Sequence, residues 1–149
     1  MYKKILAPLD GSEFSKCSLE HVKAIARGCQ VPEVILLMAP EPVQYYGEAS
    51  GGWMEDLKRQ AKDAAEKYIA EVADELKKEG IPTNGVIVSG RADEVILDYA
   101  RKNKVDLIIM STHGRSGVAR WAFGSVADSV IRNSPIPVLI ATPLGCRIR

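Results

Sequence analysis

Phosphate binding is the chemistry suggested by the stretch Met110–Ala127, "MSTHGRSGVARWAFGSVA". Gly114 and Gly117 would let the backbone approach an anion closely, because a glycine has no Cβ atom to keep the amide groups away from it. Gly124 and Ser125 stand where the spacing predicts the first turn of a helix, and there unpaired N–H groups and the positive end of the helix dipole attract phosphate. On residue types alone, the stretch is either a phosphate-binding loop or a turn that needs glycine.

The same stretch holds charged and titratable side chains. Arg115 and Arg120 could bring positive charge to the mouth of a phosphate site. His113 could also approach a phosphate, but a histidine in a loop is more often solvated or bonded to the backbone.

A second candidate site is the segment "LDGSEFS", in which Asp10 follows an apolar run. The Asp10 carboxylate could accept hydrogen bonds from a ribose or a base, or bind a metal ion through oxygen. Alternatively, Asp10 and Ser12 only form a turn and cap the following helix. The residues leave both interpretations open. We interpret a third segment, "VSGRADE", as an ordinary turn from a strand into a helix.

The elements that would position these segments alternate between two patterns. Short runs of Val, Ile and Leu are typical of strands covered on both faces, and apolar residues three or four apart are typical of helices. The alternation predicts an α/β fold, a doubly wound parallel sheet with helices on both faces. In such sheets, ligands bind beyond the carboxyl ends of the strands, where both candidate segments lie. The predicted strands are Ile5–Leu9, Val34–Met38, Val86–Val88, Leu107–Met110 and Val138–Ala141.

The composition is that of an ordinary globular protein. The 149 residues fit one domain, spanning 1–149, and 46% of them are hydrophobic. A formal net charge of +1 gives no field that would attract nucleic acid or an anionic membrane. No apolar run approaches the roughly 20 residues of a membrane helix, and the first run is too short for the core of a signal peptide.

The cysteines and the absent motifs narrow the class further. Cys17, Cys29 and Cys146 are widely spaced and form no C-x-x-C motif, so we predict neither a disulfide framework nor a zinc site, and we expect a cytoplasmic protein. The sequence contains no P-loop motif, no G-x-G-x-x-G after the first strand and no G-x-S-x-G elbow.

Three blocks of the sequence resemble the universal stress protein family, of the single-domain, ATP-binding type. They are "ILAPLDGSEFS", "VILLMA" and "MSTHGRSGVARWAFGSVADSVI", the last followed by "PIPVLIA". The resemblance covers the whole chain. It implies a Rossmann-like, adenine-nucleotide hydrolase-like fold, with five parallel strands in the order 3-2-1-4-5. Strands one and four are neighbours in that order, which brings Asp10 and the loop from Ser111 to Ser125 to one crevice.

The resemblance also implies an ATP site. The ATP-binding branch of the family is similar to the pattern G-x-x-G-x9-G-[ST], which falls here on Ser111, Gly114, Gly124 and Ser125. Because serine replaces the first glycine, we expect weakened or reshaped binding rather than its loss, as long as the backbone at Ser111 does not need a positive φ. Gly117 lies outside this pattern. Taking the resemblance together with the residues of the loop, we predict ATP contacts from Ala7, Pro8, Leu9, Asp10, Ala39, Met110, Ser111, His113, Gly114, Arg115, Gly117, Gly124, Ser125 and Val126.

By the same resemblance, ATP is bound with Mg²⁺ or Mn²⁺ through its phosphates, without a metal ligand or a catalytic residue from the protein. The resemblance further implies a homodimer that pairs through the last strand, at Val138, Leu139, Ile140 and Ala141, and an apolar edge strand does need a cover. The leading hypothesis is an ATP-binding regulatory protein of the stress response. The alternatives are a slow Mg-dependent ATP hydrolase and a nucleotide-independent, chaperone-like dimer.

Overall fold

The computed structural model describes residues 1–41, 52–112 and 124–142, and five strands alternate with four helices in them. The strands are β1 (Lys4–Leu9), β2 (Glu33–Met38), β3 (Thr83–Ile87), β4 (Leu107–Ser111) and β5 (Val138–Ala141). The helices are α1 (Glu13–Gly28), α2 (Gly52–Lys78), α3 (Ala92–Lys102) and α4 (Ser125–Asn133).

The strands form one parallel sheet in the order β3-β2-β1-β4-β5. This order confirms the predicted topology. The chain builds outward from β1 to β3 and then crosses back to β4, so the direction of winding reverses between β1 and β4. In open α/β sheets a crevice forms at this point, beyond the carboxyl ends of the two strands.

Each face of the sheet carries its own apolar core, which explains the continuous apolar runs. In β1, Ile5 and Ala7 pack with α1 and α2 on one face, and Leu6 packs with α3 and α4 on the other. All three side chains are fully buried. Burying an Ile or Leu side chain stabilises the fold by roughly 1.5–3 kcal/mol, so both faces hold the strand in place.

The third strand differs from its prediction. The apolar run predicted a strand over Val86–Val88, but β3 begins at Thr83, which pairs with Val34 of β2. The first residues of β3 are polar or glycine, and β3 lies at an edge of the sheet, where only one neighbour supplies backbone hydrogen bonds. The first residue of β3 is therefore set by backbone pairing with β2. A pattern of apolar residues in the sequence does not reveal such pairing.

The cysteines require a correction. Cys17 is disulfide-bonded, so the expectation of no disulfide is wrong at this residue, whereas Cys29 is a free, half-buried thiol. No helix within the described ranges has both the length and the hydropathy to cross a membrane.

Candidate functional site

A cavity of about 330 Å³ opens beyond the carboxyl ends of β1 and β4, at the predicted crevice. Ligand pockets in proteins have volumes of roughly 300–1,000 Å³, so the cavity can accept a small molecule. Its walls come from the ends of β1, β2 and β4 and from the first turns of α3 and α4. The lining residues are Pro8, Leu9, Asp10, Ser15, Leu37, Ala39, Glu41, Ala92, Ile96, Met110, Ser111, Thr112, Gly124, Ser125, Val126 and Ala127.

Most of the predicted ATP contacts that can be located lie in this wall. They are Pro8, Leu9, Asp10, Ala39, Met110, Ser111, Gly124, Ser125 and Val126. Ala7 does not line the cavity, because its side chain points into the core shared with α1 and α2. The remaining predicted contacts, His113, Gly114, Arg115 and Gly117, lie outside the described residues.

Asp10 forms a turn with Ser12, as one of the two interpretations of this segment predicted. Its Oδ1 accepts hydrogen bonds from the Ser12 backbone N–H at 2.9 Å and from the Ser12 hydroxyl at 2.5 Å. Ser12 in turn caps α1, since its Oγ accepts a hydrogen bond from the Ser15 N–H at 3.1 Å. The other carboxylate oxygen of Asp10 accepts no hydrogen bond from the described part of the chain. Asp10 therefore shapes the loop and still offers one acceptor at the cavity.

The amino end of α4 forms another part of the cavity wall. The first helical hydrogen bond of α4 runs from the Asp128 N–H to the Gly124 carbonyl at 2.9 Å. The N–H groups of Ser125, Val126 and Ala127 precede that bond, and no side-chain hydrogen bond from the cap residue satisfies them. Uncapped amide groups and the positive end of the helix dipole favour an anion at this wall.

Gly124 holds the start of α4 against the end of β4. Its N–H donates to the Thr112 carbonyl at 2.9 Å, and a Cβ atom built on Gly124 would lie only 2.7 Å from the same oxygen. The sequence predicted this glycine at the start of a helix whose unpaired N–H groups attract phosphate. The structure shows a second requirement, the contact of two backbone segments.

The backbone at Ser111 does not need a positive φ, which was the condition for serine to replace glycine there. It is the last residue of β4 and pairs with Ala141, and among the described non-glycine residues only Gln30 and Lys104 have a positive φ. Serine is therefore compatible with the backbone at the position where the family pattern has glycine.

Several lining residues were not predicted. Ala92 and Ile96, one turn apart on α3, and Leu37 extend the apolar wall. The segment "VSGRADE" was interpreted as a plain turn, although its place at the carboxyl end of β3 was a signal that α3 would begin at the cavity. The others that sequence analysis missed are Ser15, Glu41, Thr112 and Ala127.

Comparisons with known proteins agree with this architecture. Residues 1–142 match the model of the universal stress protein family. Universal stress protein MJ0531 of Methanocaldococcus jannaschii is 34% identical over 144 residues, which cover 94% of this chain and 82% of that protein. The solved structure of protein MJ0577, from the same organism, is 33% identical and has a TM-score of 0.82, with coverage of 95% of this chain and 96% of that one.

Two more distant structures contain a nucleotide. One is a universal stress protein in complex with cAMP, 23% identical with a TM-score of 0.68, covering 95% of this chain and 97% of that one. The other is a universal stress protein family protein from Arabidopsis thaliana with AMP bound, 16% identical with a TM-score of 0.67, covering 94% and 91%. At these identities the likeness concerns the fold alone. On the family model and the closer M. jannaschii relatives, the chain belongs to the universal stress protein family.

Proposed function

We propose that this universal stress protein binds ATP, with Mg²⁺ or Mn²⁺, and acts as a nucleotide-dependent regulatory module. The observation that carries the proposal is the cavity wall, which combines apolar side chains with the uncapped amide groups of α4. An adenine nucleotide needs both kinds of surface, since it has an apolar base at one end and anionic phosphates at the other. The AMP and cAMP complexes of more distant relatives support the same class of ligand.

Each part of the nucleotide has a matching group in the wall. The base lies against Leu37 and Ala39, and the second oxygen of Asp10 accepts a hydrogen bond from the ribose. The phosphates lie at the amino end of α4, where the Ser125 hydroxyl adds a donor. The metal ion would be held through the phosphate oxygens of ATP, because Mg²⁺ keeps several of its waters and commonly binds to substrate phosphates.

The test starts with protein purified gently and without added nucleotide. Mass spectrometry of the heat-released ligand identifies what co-purifies, and calorimetric titration with Mg-ATP and Mg-GTP measures affinity and base preference. We expect bound or titratable ATP without steady phosphate release. Phosphate release above the rate in buffer would support the hydrolase instead, and an empty site with no heat of binding would support the nucleotide-independent dimer.

We also propose that two copies pair through β5. In the described sheet, β5 lies at an edge, and its apolar residues Val138, Leu139 and Ile140 are only half-buried. The Pro137 carbonyl accepts a hydrogen bond from Ile108 of β4, and the Ala141 carbonyl accepts one from Thr112, the residue that follows β4. Because backbone groups alternate in direction along a strand, those of Val138 and Ile140 point to the open edge. That edge can accept a second copy of the strand.

Replacing Ile140 with proline should therefore separate the dimer. Ile140→Pro removes an N–H that points to the open edge and leaves the bonds to β4 in place. We expect monomers in sedimentation velocity, whereas the control Ile140→Val, which keeps the N–H, sediments as a dimer like the wild type. Far-ultraviolet circular dichroism verifies the fold of each variant. A wild-type protein that sediments as a monomer would contradict the proposed pairing.

A further inference from the structure

The first turns of α3 and α4 lie side by side next to the proposed nucleotide site, and a buried carboxylate joins them. Asp93, in the first turn of α3, is 6% exposed. It lines a small cavity of about 100 Å³ together with Ser125 and Val126 of α4. Ser125 and Val126 also line the cavity of about 330 Å³, so Asp93 lies close to the residues whose amide groups are assigned to phosphate.

Hydrogen bonds from two side chains occupy both oxygens of Asp93. The Ser129 hydroxyl donates to Oδ2 at 2.7 Å, which connects α3 with α4 across 36 positions of sequence. Arg91 donates from Nε to Oδ1 at 2.8 Å and from a terminal nitrogen to Oδ2 at 3.1 Å. Because donors bond to both of its oxygens, the Asp93 carboxylate is held in one orientation. The Ser129 side chain, which donates one of these hydrogen bonds, is held with it.

The electrostatics favour a charged Asp93. The hydrogen bond from Ser129 lowers the pKa of Asp93 against the opposing effect of burial, and Arg91 lowers that pKa further. The carboxylate lies beside the amino ends of two helices, whose dipoles place positive charge at the same spot. Its negative charge therefore offsets the repulsion between the two helix ends.

We propose that Asp93 is a positioning residue for phosphate binding: through Ser129 it fixes the direction of α4, so that the N–H groups of Ser125 to Ala127 face the cavity. Ser129 lies one turn after Ser125, on the same side of the helix, so holding one positions the other. This inference rests on the proposed nucleotide binding. In this proposal the phosphates contact the amino end of α4 and the base contacts other walls of the cavity. A positioning role of Asp93 therefore affects ATP more than adenosine, whereas a purely structural role would affect both alike.

The test compares ATP with adenosine, which lacks phosphate. Ser129→Ala removes the donor and Asp93→Asn removes the charge, whereas Ser129→Thr keeps the hydroxyl and serves as the conservative variant. Asp98→Asn, on the exposed side of α3 and paired with Arg101 at 3.9 Å, is the matched control for charge. In calorimetry well below the unfolding temperature, we expect Ser129→Ala and Asp93→Asn to weaken Mg-ATP binding by about tenfold. Adenosine binding should change by less than about twofold, and the other two variants should resemble the wild type.

A second measurement needs no ligand. Amide hydrogen exchange reports on the first helical bond of α4, from the Asp128 N–H to Gly124, which should open faster in Ser129→Ala but not in Ser129→Thr. If the wild type binds ATP and both disruptive variants bind it equally well, the positioning role is overturned and nucleotide binding stands. If the wild type binds no nucleotide, the proposed function fails. In that case, unchanged exchange in Ser129→Ala would also overturn the inference that Asp93 fixes α4, and faster exchange would support it.

Discussion

Gly124→Ala should reduce the affinity for Mg-ATP by on the order of 100-fold and also lower the stability of the free protein. A Cβ atom at this position would lie 2.7 Å from the Thr112 carbonyl oxygen, which is a backbone atom and cannot rotate away. The amino end of α4 must therefore shift, which breaks the hydrogen bond from the Gly124 N–H to Thr112 and moves the amide groups that face the phosphates. Overpacking of this kind destabilises a fold by about 1–3 kcal/mol.

The matched control is Gly28→Ala, which adds the same methyl group where no atom lies within 4 Å. Gly28 ends α1, and alanine is at least as favourable there as glycine, so this variant should be as stable as the wild type. Thermal unfolding with and without Mg-ATP separates the two effects. Stability measured without nucleotide reports on the clash, and the shift caused by Mg-ATP reports on the site. If Mg-ATP raises the unfolding temperature of Gly124→Ala as much as that of the wild type, the nucleotide does not bind at the amino end of α4.

The elements that build the site could be predicted, because strands covered on both faces leave a continuous apolar pattern. The run Leu107–Met110 predicted β4 to within one residue, and the order of the sheet followed from the resemblance of the whole chain to its family. That order alone placed Asp10 near Ser125. Patterns of this kind reflect burial, which every residue in the strand experiences in the same way.

The contacts that refine the site could not be predicted in the same way. Gly124 needs to be glycine because the chain returns to Thr112, and Asp93 is satisfied by Ser129, 36 positions away. Ala7 was assigned to the ligand by the family resemblance, but its side chain packs into the core shared with α1 and α2. The contacts of Gly124 and Asp93 depend on how two elements approach each other, and each joins a pair of residues that no local pattern connects.

The second large effect should come from Gly85, on the edge strand β3. A Cβ atom on Gly85 would lie 2.2 Å from the Cγ2 of Ile69, which is 3% exposed on α2. Isoleucine in a helix has one strongly preferred χ1, so this methyl group cannot turn aside at low cost. Gly85→Ala should lower the free energy of unfolding by about 1–3 kcal/mol, which exceeds the roughly 0.5–1 kcal/mol that alanine gains over glycine in a strand. Chemical denaturation measures the change, and Asn84→Ala, at the exposed neighbouring position, is expected to stay within about 0.5 kcal/mol of the wild type.

A second substitution shows whether the contact with Ile69 is the cause. Ile69→Ala alone should destabilise the protein by about 2–5 kcal/mol, because it leaves a cavity between α2 and the sheet. In that background the added methyl of Gly85→Ala has room, so the double variant should be as stable as Ile69→Ala or slightly more stable. If the losses in the free energy of unfolding from the two substitutions simply add, the strain in Gly85→Ala does not come from the contact with Ile69. Gly85 is also absent from the wall of the nucleotide cavity, so at a temperature where Gly85→Ala is folded its affinity for Mg-ATP should equal that of the wild type. The two glycines thus separate stability from binding: both keep a Cβ atom out of a close contact, but only the contact at Gly124 also aims the amide groups of α4.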